Sequence, residues 1–509
     1  MNLRLVLLIS AAVSMFAVHW VFMKILKIAK LKGLVDTPNA RKLQHYPVPV
    51  LGGLAVFFGL LLGLLCAEAL FDMSGFTIES ALQTSKPWSN LRGVLMPVVL
   101  GASVVLYIGA IDDTIGLSPL NRLMIEVVVM LGLCYGSGMC VDSLHGLFGI
   151  NDFSWWIGIP LTVFAGVGII NAFNMVDGVN GLSSGLCIVV SLLMGTFFLK
   201  RNGWTDAALA YCYAAALLPF LFHNVFGKHS RMFIGDAGTM VMGLIVSWCM
   251  IKTLSTEGIV GGLNHSAPKL ERMCLPAMLL AVSSVPVMDT LRVMVERMMK
   301  GGSPFKADKN HLHHKFIAIG VSHSVTALCE MCIDLMVVGV WYLSYKMELS
   351  QEMQLICTIL AAVILIWGTY FFLSYHEKHK TQLSERLRHF SLKTHLGHKR
   401  WWMEFQKILD KGAYVDMALV LKNKFNKDVD KMSDEQADAI VLLNYLQGKK
   451  KVRVADLLDN AGLMHTENLQ RIIELLDNEG LIDVLECDSA QKPIIVRISK
   501  TLNSLSPLT

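Results

Sequence analysis

Eleven apolar runs decide what this chain can fold into. They lie near 3–23, 51–71, 93–111, 122–140, 154–173, 181–199, 205–223, 237–254, 273–289, 322–345 and 353–374, and each is long enough to cross about 30 Å of hydrocarbon. Backbone in lipid must satisfy its own hydrogen bonds, so runs of this kind fold as helices, and polar residues are left to the connections or to protein-lined cavities. The composition agrees: 54% hydrophobic and 17% charged, where soluble domains carry about 25% charged residues. The first run has no small-residue cleavage site after it and is read as a retained span, not a signal peptide. The fold class expected is an all-α polytopic membrane protein of about eleven transmembrane helices, with a small α/β, winged-helix-like cytoplasmic C-terminal domain.

Loop charge gives the orientation. Up to residue 400, the connections after odd-numbered spans hold 22 Lys and Arg, against eight after even-numbered spans. The bias places the N-terminus outside and the odd-span loops, with the C-terminal tail, in the cytoplasm. A net charge of +5 fits loops facing anionic lipid and shows no concentrated basic face of the kind nucleic acid requires. Most of the eleven cysteines lie within apolar runs, where a buried thiol is the ordinary reading and no disulfide framework is implied.

The dense polar clusters all fall in the odd-span loops. After span one comes DTPNARKLQHYPVPVLGG (36–53), after three IDDTIGLSP (111–119), after five NAFNMVDGVNGL (171–182), after seven FIGDAG (233–238), and after nine DTLR (289–292) with SPFKADKNHLHHKF (303–316). Even-span loops hold nothing comparable, and the concentration argues for one composite site on the inner face. Asp112, Asp113, Asp177, Asp236 and Asp289 cannot all be charged near one another without a cation or Arg/Lys partners. Magnesium, which takes a few oxygen ligands and completes its shell with phosphate, suits Asp and Asn side chains on separate loops; manganese would serve similarly. Asn171, Asn174 and Asp177 are spaced to share one helix face.

HLHH is read as a strand-like loop that carries His311 and His313, with His314 adding a third imidazole. Three imidazoles can mean zinc, but no cysteine lies nearby and Lys309 and Lys315 are poor company for a metal. A phosphate clamp with Arg41, Lys42, His45 and Arg292 fits better. The glycine turns at 52–53, in DGVNG and in GDAG permit close backbone approach to an anionic ligand. The phosphate-binding GxxxxGK[ST] loop and GxGxxG after a strand are missing from the sequence, so a nucleotide would need a different pocket.

These five motifs, in this order on alternate loops, resemble those of the bacterial polyprenyl-phosphate N-acetylhexosamine-1-phosphate transferases. The HLHH loop looks most like the undecaprenyl-phosphate N-acetylglucosamine-1-phosphate transferase branch. The resemblance covers residues 1 to about 375 and departs from the family pattern at FKADKNHLHH, where a Pro before the Asp and an Ile in the His run are commoner. It implies a magnesium-dependent enzyme of the bacterial inner membrane that transfers N-acetylhexosamine-1-phosphate from its UDP-sugar to undecaprenyl phosphate, releasing UMP and starting a surface polysaccharide. It assigns Asn174 and Asp236 to the metal and Asp112 and Asp113 to the lipid phosphate. It puts Asp177 and Asn180 near the nucleotide, and Arg292, His311, His313 and His314 on sugar or phosphates; Asn171 joins the substrate set. A phosphate monoester is already largely ionised at neutral pH, which leaves open whether Asp112 takes a proton or only holds the nucleophile.

The chain divides into a transmembrane transferase domain (1–375), a basic amphipathic linker (376–402) and a soluble cytoplasmic domain (403–509). Within the last, 454–499 reads helix, turn, helix and two short strands. That order resembles a winged helix, yet Glu467, Glu474, Asp477 and Glu479 make the second helix a poor reader of phosphates, and a small module binding a protein partner is the better reading. A homodimer is compatible with the sequence. An ion-coupled transporter, the main rival, would place its ionisable groups near the midplane and show repeated halves; neither pattern is present.

Overall fold

The computed structural model describes residues 2–32, 34–36, 48–74, 91–227, 230–256, 258, 272–303, 310–379, 385–387, 400–410, 442–443, 445–446, 451–460, 469–478, 481–487 and 493–498. Among the described residues, ten helices are long and apolar enough to cross a membrane: Leu3–Lys30, Gly52–Met73, Leu95–Ile115, Pro119–Ser137, Trp155–Val176, Leu182–Lys200, Trp204–Phe226, Gly235–Leu254, His323–Lys346 and Gln351–His379. A bent pair, Leu275–Val282 and Ser284–Met299, supplies an eleventh. The chain is thus a multi-pass membrane protein, in the class the sequence predicts. Trp156, Phe164 and Tyr107 face outward, as side chains in contact with lipid do.

The eighth span, Gly235–Leu254, is the axis of the bundle, with 94% of its apolar window buried. Lipid tails offer helices no hydrophobic reason to associate, so packing at such an axis relies on small residues that let backbones touch. A Cβ on Gly243 would overlap the backbone of Ile170, and one on Gly109 the backbone of Ala237. Both helices meet the eighth span at these glycines. The start of the second span is stitched to the same place: Phe233 N–H donates to Pro49 O (2.8 Å), Gly52 N–H to Phe233 O (2.9 Å) and Gly53 N–H to Ile234 O (2.8 Å).

The ninth span corrects the expected straight helix over 273–289. It breaks at Ser283, and its halves meet at 81°. Pro286 accounts for the position: its ring excludes the carbonyl four residues back, which belongs to Val282, the last residue of the first half. The break frees N–H groups inside the protein, and the tenth span satisfies them. Asp334 Oδ1 accepts from Ser284 Oγ (2.8 Å) and from Val285 N–H (3.1 Å), so a buried acid from a neighbouring helix caps the second half.

Beyond the last span, which runs to His379, residues 380–384 and 388–399 of the expected amphipathic linker lie outside the described residues. The helix Arg400–Leu409 packs on the end of the seventh span, with the Trp402 ring 5.6 Å from that of Phe226. Further on come the helices Val454–Asn460 and Leu469–Asn478 and an antiparallel sheet. In it, the strand Pro493–Ile498 lies between Val452–Arg453 and Ile482–Cys487. Leu457, Ile472, Ile473, Ile482 and Val496 form a core of their own.

Gly243→Ala is expected to destabilise the protein by about 1–3 kcal/mol through overpacking, whereas Gly339→Ala, which meets nothing within 4 Å, leaves it unchanged. Thermal unfolding of the two variants in detergent checks the contrast; equal stability would refute the role given to the eighth span.

Candidate active site

Two polar clusters form on the face where the motif loops emerge. The first is built around the end of the third span and the start of the eighth. Gly235 has φ +74°, a left-handed conformation that a side chain resists, and a Cβ there would run into the Asp113 carboxylate. The turn therefore presses the start of the eighth helix onto Asp113. Asp113 Oδ1 accepts from Asp236 N–H (2.8 Å) and Oδ2 from Ala237 N–H (3.2 Å). A carboxylate on these orphan donors also meets the positive end of the helix dipole.

Asp236 is thereby fixed one residue inside the helix. Its Oδ1 accepts from Asn174 Nδ2 (2.5 Å), which also donates to Thr239 Oγ1 (2.8 Å), while 37% of its side chain stays accessible. Asp112 Oδ1 accepts from Leu117 N–H (2.6 Å). Between Asp112 and Asp236 stands Arg122, its Nη1 3.4 Å from one carboxylate and 3.7 Å from the other. Arg122 is held in turn by Glu126, whose Oε1 accepts from Nε at 3.1 Å and whose Oε2 accepts from Asn171 Nδ2.

Arg122 and Glu126 were not singled out from the sequence as site residues. Their signal is an i, i+4 charge pair inside an otherwise apolar run, and ionisable groups in a span are functional candidates by default. The spacing of Asn171, Asn174 and Asp177 holds only in part. The helix ends at Val176, and Asp177, in the turn beyond it, is exposed and accepts from Ser183 Oγ at 2.5 Å. Asn180 is half-buried in the same turn.

The second cluster surrounds Asp289, which is 1% exposed. Arg292 donates to its Oδ1 through Nε (3.1 Å) and Nη2 (2.7 Å), His311 Nδ1 lies 2.9 Å from Oδ2, and Leu312 N–H reaches both oxygens. The Arg292 guanidinium also donates to Asn310 O and to Glu296 Oε2 (3.2 Å), and lies 3.4 Å over the Tyr370 ring. Every nitrogen of Arg292 is thus engaged within the protein, and the side chain is 3% exposed.

The histidine motif differs from the strand-like loop expected. His311 caps a short helix, Leu312–Ala318, and its ring stacks on that of His313 at 5.6 Å. The two imidazoles therefore share a side. Helix formation here follows from Asp289, whose carboxylate takes the first free N–H of the turn. His313 is buried, and burial together with the neighbouring His314 and His311 holds its pKa well below the usual imidazole range, so it is neutral at pH 7. A Cβ on Gly178 would overlap the His313 ring; this contact joins the DGVNG turn to the second cluster. Arg41, Lys42 and His45 lie outside the described residues.

Among the described residues, no three His, Cys, Asp or Glu side chains converge tightly enough to hold a metal ion by themselves. The first cluster nevertheless sets four carboxylates, Asp112, Asp113, Glu126 and Asp236, against the single guanidinium of Arg122. That imbalance fits a hard cation that takes one or two carboxylates and draws the rest of its shell from phosphate.

Comparison with known proteins gives the family. The glycosyl transferase family 4 model matches residues 95–254, the stretch that carries the first cluster. The undecaprenyl-phosphate alpha-N-acetylglucosaminyl 1-phosphate transferase of Salmonella typhi is 30% identical over 328 residues, covering 62% of this chain and 78% of the relative. The chain belongs to this family. The Escherichia coli K12 protein of the same description is 32% identical over 303 residues, 58% of this chain and 72% of its own. A decaprenyl-phosphate N-acetylglucosaminephosphotransferase of Mycolicibacterium smegmatis is 30% identical over 337 residues, 63% and 77% respectively.

Asp289→Asn is expected to cost about 3–5 kcal/mol, because it removes the fully buried counter-charge of Arg292 and leaves only the more exposed Glu296. Chemical unfolding in detergent measures this; a loss under about 1 kcal/mol would show that the pair is not the anchor of the histidine helix.

Proposed function

We propose that the protein transfers N-acetylglucosamine-1-phosphate from UDP-N-acetylglucosamine to undecaprenyl phosphate, with magnesium, at the inner face of the bacterial cytoplasmic membrane. The observation that carries this reading is the four-carboxylate cluster around Arg122 at the mouth of a membrane bundle whose relatives are named for that transfer. A lipid phosphate arriving between spans and a nucleotide sugar arriving from the aqueous side can meet only at such a mouth. The excess of Lys and Arg on the odd-span loops supports the cytoplasm as that side.

In the reaction an oxygen of the lipid phosphate bonds to the β-phosphorus of the nucleotide sugar. The bond from that phosphorus to the bridging oxygen breaks, and the oxygen leaves with UMP. Catalysis of this kind is mostly positioning and charge stabilisation. Asp236, held by Asn174 and by the helix start, and Asp112, held by Leu117 N–H, are the residues that would hold magnesium, which supplies charge neutralisation at the diphosphate when bound. Asp113 keeps the two elements in register, Arg122 balances the carboxylates, and Glu126 with Asn171 holds Arg122 in place. Asp177 and Asn180 face the nucleotide from the turn after the fifth span. His311, its Nδ1 committed to Asp289, offers Nε2 to sugar or phosphate; neutral His313 packs against the turn and shapes it, with His314 beside it. Arg292 acts as an internal brace and not as a ligand clamp. Since a phosphate monoester is already ionised, Asp112 orients the nucleophile without having to take a proton.

Purified protein given UDP-N-acetylglucosamine, undecaprenyl phosphate and magnesium is expected to release UMP, and to stop when the metal is chelated. Asp236→Asn and Asp112→Asn are each expected to lower the rate by about 100-fold or more; UMP release at full rate in both would overturn the assignment. Gly178→Ala is expected to push the His313 ring aside and slow the reaction roughly 10-fold. Combined with His313→Ala it should be no slower than His313→Ala alone, and additive losses would count against the contact.

A further inference from the structure

The helix Arg400–Leu409 belongs to the tail, yet it ends on the loop that leads into Asp236. Trp402 and Phe405 close around Phe226 at the end of the seventh span, with ring centroids at 5.6 and 6.3 Å. Gln406 Nε2 donates to Phe226 O at 3.2 Å. The residue after the helix, Asp410, is 2% exposed. Its Oδ1 accepts two hydrogen bonds from Ser230, one from the backbone N–H (2.9 Å) and one from Oγ (2.7 Å). Because Ser230 Oγ donates to Asp410, it accepts from His223 Nδ1 at 3.0 Å, and His223 is stacked on Phe22 of the first span at 4.5 Å.

The contact lies upstream of the site along a continuous line of bonds. Asn224 Nδ2 donates to Met232 O (3.0 Å), Phe233 pairs with Pro49 and Gly52, and Ile234 with Gly53. Gly235 then turns against Asp113, and Asp236 follows. Ser230 is the point where the tail enters this line, six residues before a carboxylate whose placement the reaction depends on. Two hydrogen bonds to one buried carboxylate oxygen are strong, since a charged acceptor roughly doubles the strength of each. The arrangement exceeds what tethering a tail requires, for which the aromatic contacts on Phe226 would suffice.

We propose that Asp410 is a positioning residue for the transferase site, through which the C-terminal segment sets the 230–235 loop and thereby Asp236. This rests on the reading of Asp236 given above. The tail is then an input to the reaction: whatever binds the C-terminal module and strains or relieves the Asp410–Ser230 contact changes the rate at a site it never touches.

The test compares full-length wild type, Asp410→Ala, Asp410→Asn and Ser230→Ala. UMP release gives kcat and KM, and hydrogen exchange reads the backbone amides of 230–236. Asp410→Ala is expected to lower kcat about 10-fold at an unchanged KM for the nucleotide sugar, and to speed exchange of the loop amides. Asp410→Asn, which keeps an Oδ1 acceptor, should recover most of the rate, and Ser230→Ala should fall between. Unchanged kcat and unchanged exchange in Asp410→Ala would overturn the proposal, even with a lowered melting temperature, which a purely structural latch would produce. If Asp410→Ala does not fold, full activity and wild-type exchange in Ser230→Ala overturn it in the same way. A wild type that releases no UMP sinks the transferase reading alone, and the exchange data still decide whether Asp410 holds the loop.

Discussion

The grip of Asp113 on two N–H groups in the first turn of the eighth span is the constraint from which the site follows. A helix that starts inside a membrane bundle exposes donors that neither lipid nor a neighbouring helix can satisfy. Here the third span ends in an acid that takes both. Once the helix start is fixed, Asp236 has one place to go, Asn174 can reach it from the fifth span, and Arg122 can stand between it and Asp112. The contact also explains why Gly235 and Gly109 are glycines, since a side chain at either would separate the two elements. Chemistry and packing use the same few atoms.

The broken ninth span solves a similar problem differently. Its second half starts in the protein interior, and the acid that caps it comes from the tenth span, not from its own sequence neighbourhood. From that start the helix carries Asp289, Arg292 and Glu296 to the site face, where Asp289 nucleates the short histidine helix. A long-range cap thus sets the direction of an element, and a second acid at its far end sets the next one.

Much of this was legible in the sequence. Apolar length alone gives the eleven spans, and the grouping of Asp112, Asp113, Asn174 and Asp236 follows from motifs falling on one side. What could not be read is where partners come from. Asp113 and Asp112 are adjacent and chemically identical, yet one is spent on a helix start and the other stays at the site mouth, a difference decided by Gly235, over a hundred residues away. Arg122 and Glu126 were hidden because an apolar window averages over two charges. The His311 and His313 rings stack because His311 stays extended as the cap of a short helix whose first N–H Asp289 accepts, a partner that the tetrapeptide HLHH does not announce. Pro286 was visible, but its ability to bend the span depends on Asp334 receiving the freed N–H groups.

The internal saturation of Arg292 has a thermodynamic consequence. A diphosphate brings two or more negative charges to a cluster whose guanidinium, Arg122, is already shared among Asp112, Asp236 and Glu126, while Arg292 is committed to Asp289. On the proposed reading, magnesium held at the carboxylates adds to the charge that receives the nucleotide. Metal and nucleotide then bind as linked ligands, each raising the other's affinity by the same factor. Empty of both, the carboxylates repel one another across Arg122; filled, they become the counter-charge of a single assembled complex.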